Sequence, residues 1–478
     1  MLAKMDIQEE SSEARFAAYV ESLAQVLGHE DRAGPLRDYC TGLLMPGERK
    51  SVEPMAAIVA PARVGPKHQS LLHFVGQGPW SDEALLAKVR ELALPAIETQ
   101  GKIEAWIVDD TGFAKKGVHS VGVARQYCGR LGKTDNCQIA VTLSIANHAA
   151  SLPIAYRLYL PEDWARDAGR RGKTHVPDAV KFQTKPAIAL DQIRAALAAG
   201  VAPGVVLTDA AYGTNGAFRT EVTGMGLLYA VGVQANVVVW PPGVAPALGN
   251  PSGRARARAR LRGEAEPQPM SVKALAKSLP ASAWAKVAWR EGSNAPLESR
   301  FAALRVRPAS SRDKAGALAP HEWLLVEWPE GETEPSKYWL STLPETTSLA
   351  ALVDMAKLRW RIERDYEELK SELGLAHFEG RGWRGFHHHA SLCIAAYGFL
   401  IRERAAIPPS GPWRGEKPPL SKCPRRRGSP DPARASRRQL DRDDTQNAHR
   451  RPRKISRSMS LLPCLHIENN SASAFVMQ

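Results

Sequence analysis

Cysteine is scarce in this chain, six residues in 478 (Cys40, Cys128, Cys137, Cys393, Cys423 and Cys464), and no two form a CxxC pair. The wide spacing excludes a structural zinc framework and a dense disulfide scaffold, and it fits a reducing compartment. A long apolar run is also missing. The stretches Cys137–Tyr156 and Val222–Asn250 lack charge, but Asn, His, Gly or Pro interrupts both, so each reads as paired strands instead of a membrane span. The first residues, MLAKMDIQEESSEARF, lack the apolar core of a signal peptide. Together these absences lead to the expectation of a cytoplasmic protein with no membrane partner. No internal repeat is visible.

What is present is a core-forming composition, 44 % hydrophobic and 24 % charged, long enough for two to four domains at about 100–200 residues each. The formal net charge is +14, which invites a polyanionic partner without identifying it. From Arg402 to Gln478 there are 17 Lys and Arg against seven Asp and Glu, so ten of those fourteen charges belong to the last 77 residues. The preceding 401 residues are nearly balanced.

Apolar spacing divides the chain into five segments. Residues 1–100 read as a helical N-terminal domain, with Phe16, Val20, Leu23 and Leu27 at helical intervals. A short helix is expected between Pro54 and Pro61, and a longer one is expected to run from an N-cap at Ser81 to Pro95. Residues 101–235 alternate strands with helices in the α/β manner. Trp106–Val108 is expected to end abruptly at Asp109-Asp110, the segments VGVARQYC, CQIAVTLSI and PIAYRLYL to pair, and Val205-Val206-Leu207 to run into Asp209. Residues 236–345 read as a β-rich insertion, and 346–401 contain a helix expected to be continuous from Ser348 to Leu373. The tail, 402–478, is rich in Pro, Arg and Ser and reads as disordered.

Four carboxylates stand out. Asp109, Asp110 and Asp209 follow apolar strand segments, and the carboxyl edge of a sheet is where α/β folds place their sites. Glu363 shares one helical face with Arg359, Tyr366 and Lys370, at spacings of four, three and four. Three carboxylates suit hard divalent cations, and two such cations can activate a water and stabilise a leaving oxygen in phosphodiester displacement. Arg and Lys on the same face suit phosphate. From spacing alone, a solvated face with i,i+4 ion pairs is an equal reading.

These residues lie in segments that resemble bacterial insertion-sequence transposases of the DDE type, those of insertion-sequence family 701. The matching segments are YCTGLLMPGERKSVEPMAA, WIVDDTGFAKKGVHSVGVARQYCGRLGKTDNCQIAV, VLTDAAYG and RWRIERDYEELKSELGLAHFEGRGWRGFHHH, within roughly Arg15 to Phe399. The resemblance implies an RNase H-like catalytic core with a β-rich insertion before the catalytic helix. It also implies a DNA-binding N-terminal domain. It assigns Asp110, which directly precedes Thr111, as the first carboxylate, with Asp109 as the runner-up; Asp209 is the second and Glu363 the third. Magnesium is the implied cofactor, two ions with Mn²⁺ as a possible substitute. The implied partners are double-stranded DNA (terminal inverted repeats and target) and further copies of the chain assembled on it, in a nucleoid-associated bacterial protein. Arg359 and Lys370 fit the family signature, whereas Ala356 stands where that signature has Tyr, and Tyr366 offers a nearby ring.

Several other features carry two readings each. Asp109 reads as a turn cap, Lys115 and Lys116 as phosphate contacts or ordinary surface lysines, and Gly132–Gln138 as a DNA-proximal loop or a plain turn. His387, His388 and His389 point about 100° apart on a helix and cannot all chelate one ion, so they read as structural or DNA-proximal. Glu372 and Glu379 are rival third carboxylates without the Arg and Lys companions. Arg254, Arg256, Arg258, Arg260 and Arg262 would line one face of a strand and track a phosphate backbone. Trp240 and Trp328 are base-stacking candidates set against ordinary core packing. The function expected is metal-dependent DNA cleavage and strand transfer at insertion-sequence ends. The alternative is a catalytically impaired, transposase-derived DNA-binding protein, suggested by a tail that departs from the family pattern from about Pro418; a host nuclease of the same fold is a third reading.

Overall fold

Ser11 accepts a hydrogen bond from the Ala14 amide and starts α1 (Ser12–Ala24), whose Tyr19, Val20 and Leu23 are buried. This first helix opens the computed structural model, which describes residues 11–244, 268–291, 296–309 and 318–407. Four more helices follow: α2 (Ala33–Leu44), α3 (Val52–Val59), α4 (Val64–Gly76) and α5 (Asp82–Glu98). Helix α3 begins before Pro54, because a proline in the first turn loses no intrahelical bond. Ser81 caps α5 through the Ala84 amide, but Pro95 does not end the helix. The chain stays helical for three further residues and buries Ile97, while the Thr99 amide donates to the Pro95 carbonyl.

The strands form one continuous sheet. They are β1 (Ala105–Ala114), β2 (Ala124–Cys128), β3 (Lys133–Ala146), β4 (Ser151–Leu158), β5 (Val205–Thr208) and β6 (Tyr229–Val233), then β7 (Val238–Trp240), β8 (Met270–Ser271), β9 (Ala285–Glu291), β10 (Pro296–Pro308), β11 (Glu322–Trp328) and β12 (Lys337–Ser341). Their order is β2-β3-β1-β5-β6-β12-β11-β10-β7-β8, with β4 beside β3 and β9 beside β10. β1 runs antiparallel to β3 and parallel to β5, and β6 is parallel to β5. The crossover from β4 to β5 carries α6 (Glu162–Arg166), α7 (Ala168–Lys173) and α8 (Lys185–Ala198); α9 (Ala210–Gly213) and α10 (Gly216–Gly224) join β5 to β6. Gly200 ends the α8 segment at φ 69°, a conformation that suits glycine.

Two strand expectations need correction. β1 does not stop at Asp109-Asp110, because β3 is 14 residues long and keeps pairing as far as Ala114↔Cys137. The uncharged stretch from Val222 does not fold back on itself either: β6 pairs with β5 and β12, whereas β7 pairs with β10 and β8. The strands of residues 236–345 therefore extend the main sheet through the β6–β12 pairing.

After α11 (Val272–Lys277) and the last strands, the expected single helix from Ser348 is broken. Helix α12 (Leu349–Leu358) ends at Arg359, α13 (Trp360–Glu367) follows, and Glu368–Glu372 forms one π-helical turn. The break is a tightened turn in which the Ile362 amide donates to the Arg359 carbonyl. Such irregular turns concentrate at functional positions. Leu358 and Ile362 pack against Ala105, Ile107, Leu207 and Ala230, which fixes these helices on one face of the central strands.

Helix α14 (Trp383–Ala406) is mostly buried and includes Arg402–Ala406, so the first residues assigned to the tail are helical. The rest of the tail, and all five arginines between 254 and 262, lie outside the described residues. The three histidines of α14 tie it to three different places. The Leu158 amide donates to His387 Nε2, His388 lies between the Val75 and Trp80 carbonyls, and His389 lies between the Tyr39 hydroxyl and the Gly374 carbonyl. Burial lowers the His389 pKa to about 4 and keeps the ring neutral. A folded-state pKa below the unfolded value gives stability that is complete above about pH 6.5 and lost as pH falls toward 4, up to about 3 kcal/mol. Thermal unfolding of the wild type and His389→Gln across pH 7.5 to 4.5 should show a stability gap that narrows on acidification. A gap independent of pH would contradict the neutral, buried role.

Candidate active site

Adjacent residues on a strand point to opposite sides of the sheet, and that rule separates Asp109 from Asp110. Ile107 faces α12 and α13, so Asp109, two residues on, shares their side. The parallel register of β1 and β5 pairs Ile107 with Leu207, and two further steps along each chain bring Asp109 beside Asp209. Asp209 follows the end of β5 and caps α9, its Oδ1 accepting from the Ala211 and Tyr212 amides at 2.9 and 3.4 Å. Glu363 comes from α13 on the same side.

Arg359 joins the three. Its Nη1 donates to Asp109 Oδ2 at 2.9 Å, its Nη2 lies 3.5 Å from Glu363 Oε1, and its charge is felt together with that of Asp209. Burial is the main force on Asp109 and lifts its pKa to about 7; Arg359 opposes the shift, and the Asp209 and Asp110 charges add to it. Glu363 is 71 % exposed and retains freedom to move. Among the described residues, no three metal-binding side chains stand close enough to enclose an ion as they are placed. The donor set is all carboxylate oxygen around one cationic group, which is the chemistry a hard divalent cation requires.

Asp110 lies on the opposite side of β1, away from this set. Lys185, the first residue of α8, reaches its Oδ2 at 2.9 Å, and the Tyr212 hydroxyl donates to the same oxygen at 3.4 Å. Strand alternation thus places Asp109 on the side of Arg359 and Glu363, and Asp110 on the side of Lys185 and Tyr212. Sequence reasoning missed Lys185 and Tyr212; the signal available was a lysine opening a helix and the tyrosine of VLTDAAYG. Tyr366 is half-buried and pairs its hydroxyl with Thr142 Oγ1 at 2.5 Å, on the strand position opposite Asp109. Lys370 Nζ donates to the Gly112 carbonyl at 3.2 Å and stands over the Phe113 and Tyr366 rings. Arg359, Tyr366 and Lys370 thus line β1 from Asp109 onward despite the π turn.

A family model described as a DDE superfamily endonuclease matches residues 22–296, more than half of the chain. The chain belongs to that family. The match covers Asp109, Asp110 and Asp209, while Glu363 lies beyond it. The chain is also similar to the probable transposase for insertion sequence element IS701 of Microchaete diplosiphon, 33 % identical over 190 residues. That similarity spans 40 % of this chain and 46 % of the relative, so the chain matches about half of the relative's length.

In this member of the family the remaining candidates have definite positions. Lys115 donates to the Phe378 carbonyl, and Gly132–Gln138 is not a turn: only Gly132 precedes β3, and Asn136, paired within β3, donates to the Lys115 and Gly117 carbonyls. Glu379 pairs with Arg49 far along the chain, and Glu372 is exposed. Trp240 is buried, and Trp328 packs edge-on against Trp284 beneath Arg300. No helix among the described residues is long and apolar enough to cross a membrane. A cleft of about 880 Å³ is lined by His68, Lys173, His377 and Trp383 and by none of the four carboxylates. Replacing Arg359 by Ala should push the Asp109 pKa above 7, so the variant should lose stability between pH 6 and pH 8, at about 1.4 kcal/mol per unit of added shift. Adding Asp109→Asn should remove that pH dependence in chemical denaturation, and its persistence would contradict the ion pair's role.

Proposed function

We propose that this DDE endonuclease is a transposase that cleaves phosphodiesters at insertion-sequence ends and joins the freed 3′-hydroxyl to target DNA. The observation that carries this reading is the convergence of Asp109, Asp209 and Glu363 around Arg359 on one side of the sheet. An RNase H-like core is supported by a central strand antiparallel to β3 and parallel to β5, with the acidic helix laid across them. Asp109, not Asp110, is the first carboxylate in this proposal. Asp109, Asp209 and Glu363 would hold one or two divalent cations, Mg²⁺ or Mn²⁺. When bound, such ions supply Lewis acidity toward the scissile phosphate and the attacking oxygen.

The protein's own residues divide the rest of the work. Arg359 is the counter-charge for Asp109 and can turn its planar fork to a phosphate when that oxygen is otherwise neutralised. Lys370 and Tyr366 flank β1 where a strand approaching Asp109 would pass. Lys185 and Tyr212 hold Asp110 on the far side and stiffen β1 behind the site. The arginines at 254, 256 and 258 remain proposed backbone contacts on composition alone, and DNA binding by the N-terminal helices and assembly of several copies on DNA belong to the same proposal. The intact carboxylate set weighs against the catalytically impaired alternative.

Cleavage of DNA carrying the inverted repeats that flank the gene tests the proposal. Asp109→Asn, Asp209→Asn and Glu363→Gln should abolish Mg²⁺-dependent cleavage while retaining DNA binding. Asp110→Asn, which loosens support behind the site, should cost about tenfold. Full cleavage by Asp109→Asn, or abolition by Asp110→Asn alone, would overturn the assignment.

A further inference from the structure

Trp360 sits directly after Arg359 and one helical turn before Glu363, yet its ring is not free. The Arg290 guanidinium carbon lies 4.1 Å from its centroid and that of Arg361 lies 4.7 Å away. Arg290 comes from β9, in the region between β6 and α12, and Arg361 comes from the helix that carries Glu363. Two like charges on one ring repel each other, and burial together with Arg364 and Arg290 lowers the Arg361 pKa, only partly offset by Asp365. The Arg361 Nε is buried without a hydrogen-bond partner. Among the described residues no ion pair joins Arg290 or Arg361 to a carboxylate, whereas the neighbouring Arg364 and Arg404 both pair with Glu368. Asp365 offsets the Arg361 charge without an ion pair: its Oδ1 accepts from the Ser151 and Tyr397 hydroxyls, and its buried Oδ2 has no hydrogen-bond partner.

A cluster that gathers two guanidiniums on one ring, with no ion pair to a carboxylate among the described residues, suits an anion that arrives from outside. Stacking on an indole presets the plane of a guanidinium and leaves its N–H edges available, and those edges match phosphate oxygens in pairs. We propose that Arg290 and Arg361, both packed on Trp360, form a clamp for one backbone phosphate of the DNA strand that enters the carboxylate site. The clamp joins the β-rich region to the catalytic helix, so the strand's phosphate links the two elements beside Glu363. This inference rests on the proposed function, because the phosphate it assigns is that of the substrate.

The test is the salt dependence of binding to end-containing DNA by the full chain, read by fluorescence anisotropy. Arg290→Ala and Arg361→Ala should each lower the slope of log affinity against log salt by about 0.9, the loss of one phosphate contact. Arg361→Lys should restore the slope while leaving affinity below wild type, because the charge returns without the paired geometry. Thermal unfolding checks each variant; Arg290 is exposed on a strand, so its variants carry the test if Arg361 variants fail to fold. Unchanged slopes in a wild-type protein that binds DNA overturn the clamp, even if inorganic phosphate still raises the thermal midpoint through these arginines. Failure of the wild type to bind end-containing DNA at all would instead refute the proposed function.

Discussion

Side chains alternate along a strand, and in β1 that alternation sorts two adjacent aspartates onto opposite sides of one sheet. The pairing of Ile107 with Leu207 sets which aspartate meets Asp209. A slip of one residue in that register would exchange Asp109 for Asp110 and also turn Ile107 away from Leu358 and Ile362. The apolar pack beneath the helices therefore fixes the chemistry above it. Hydrophobic burial at Ala105, Ile107 and Leu207 is what holds the acidic positions in register.

The consequence is electrostatic. Asp109 is placed where water cannot solvate it well and where Asp209 repels it, and Arg359 supplies the compensating charge. Arg359 lies at the junction of α12 and α13, so its ion pair with Asp109 also ties that junction to β1. The break between α12 and α13 lies at Arg359 itself, and the following π turn still leaves Lys370 against β1 at Gly112. A helix of ideal pitch across these residues would present a regular stripe. Here local irregularity and side-chain position are found together.

Much of this was legible in the sequence. The order of strands through β6, the cap at Ser81, and the spacing of Arg359, Glu363, Tyr366 and Lys370 follow from apolar spacing and capping chemistry, whereas the short helices α6 and α7 between β4 and β5 do not. The side of β1 that meets α13 was not legible, because it depends on which neighbour each strand finds, and a tandem Asp-Asp offers the same chemistry on both sides. The helix break at Arg359 left no glycine or proline to read. Pro95 misled in the opposite direction: tertiary burial of Ile97 kept the chain helical past a residue that lacks an amide hydrogen. The β-rich region gave strands but not their partners, since β12 reaches back to β6 across more than 100 residues.

Binding of Mn²⁺ in the absence of DNA, followed by electron paramagnetic resonance, addresses the choice between the two aspartates without relying on catalysis. Asp109→Asn should weaken Mn²⁺ binding by at least about tenfold, the cost of losing a charged oxygen ligand, while Asp110→Asn should stay close to wild type. Mn²⁺ binding that survives Asp109→Asn and fails in Asp110→Asn would contradict the placement of the site on the Asp209 side of β1.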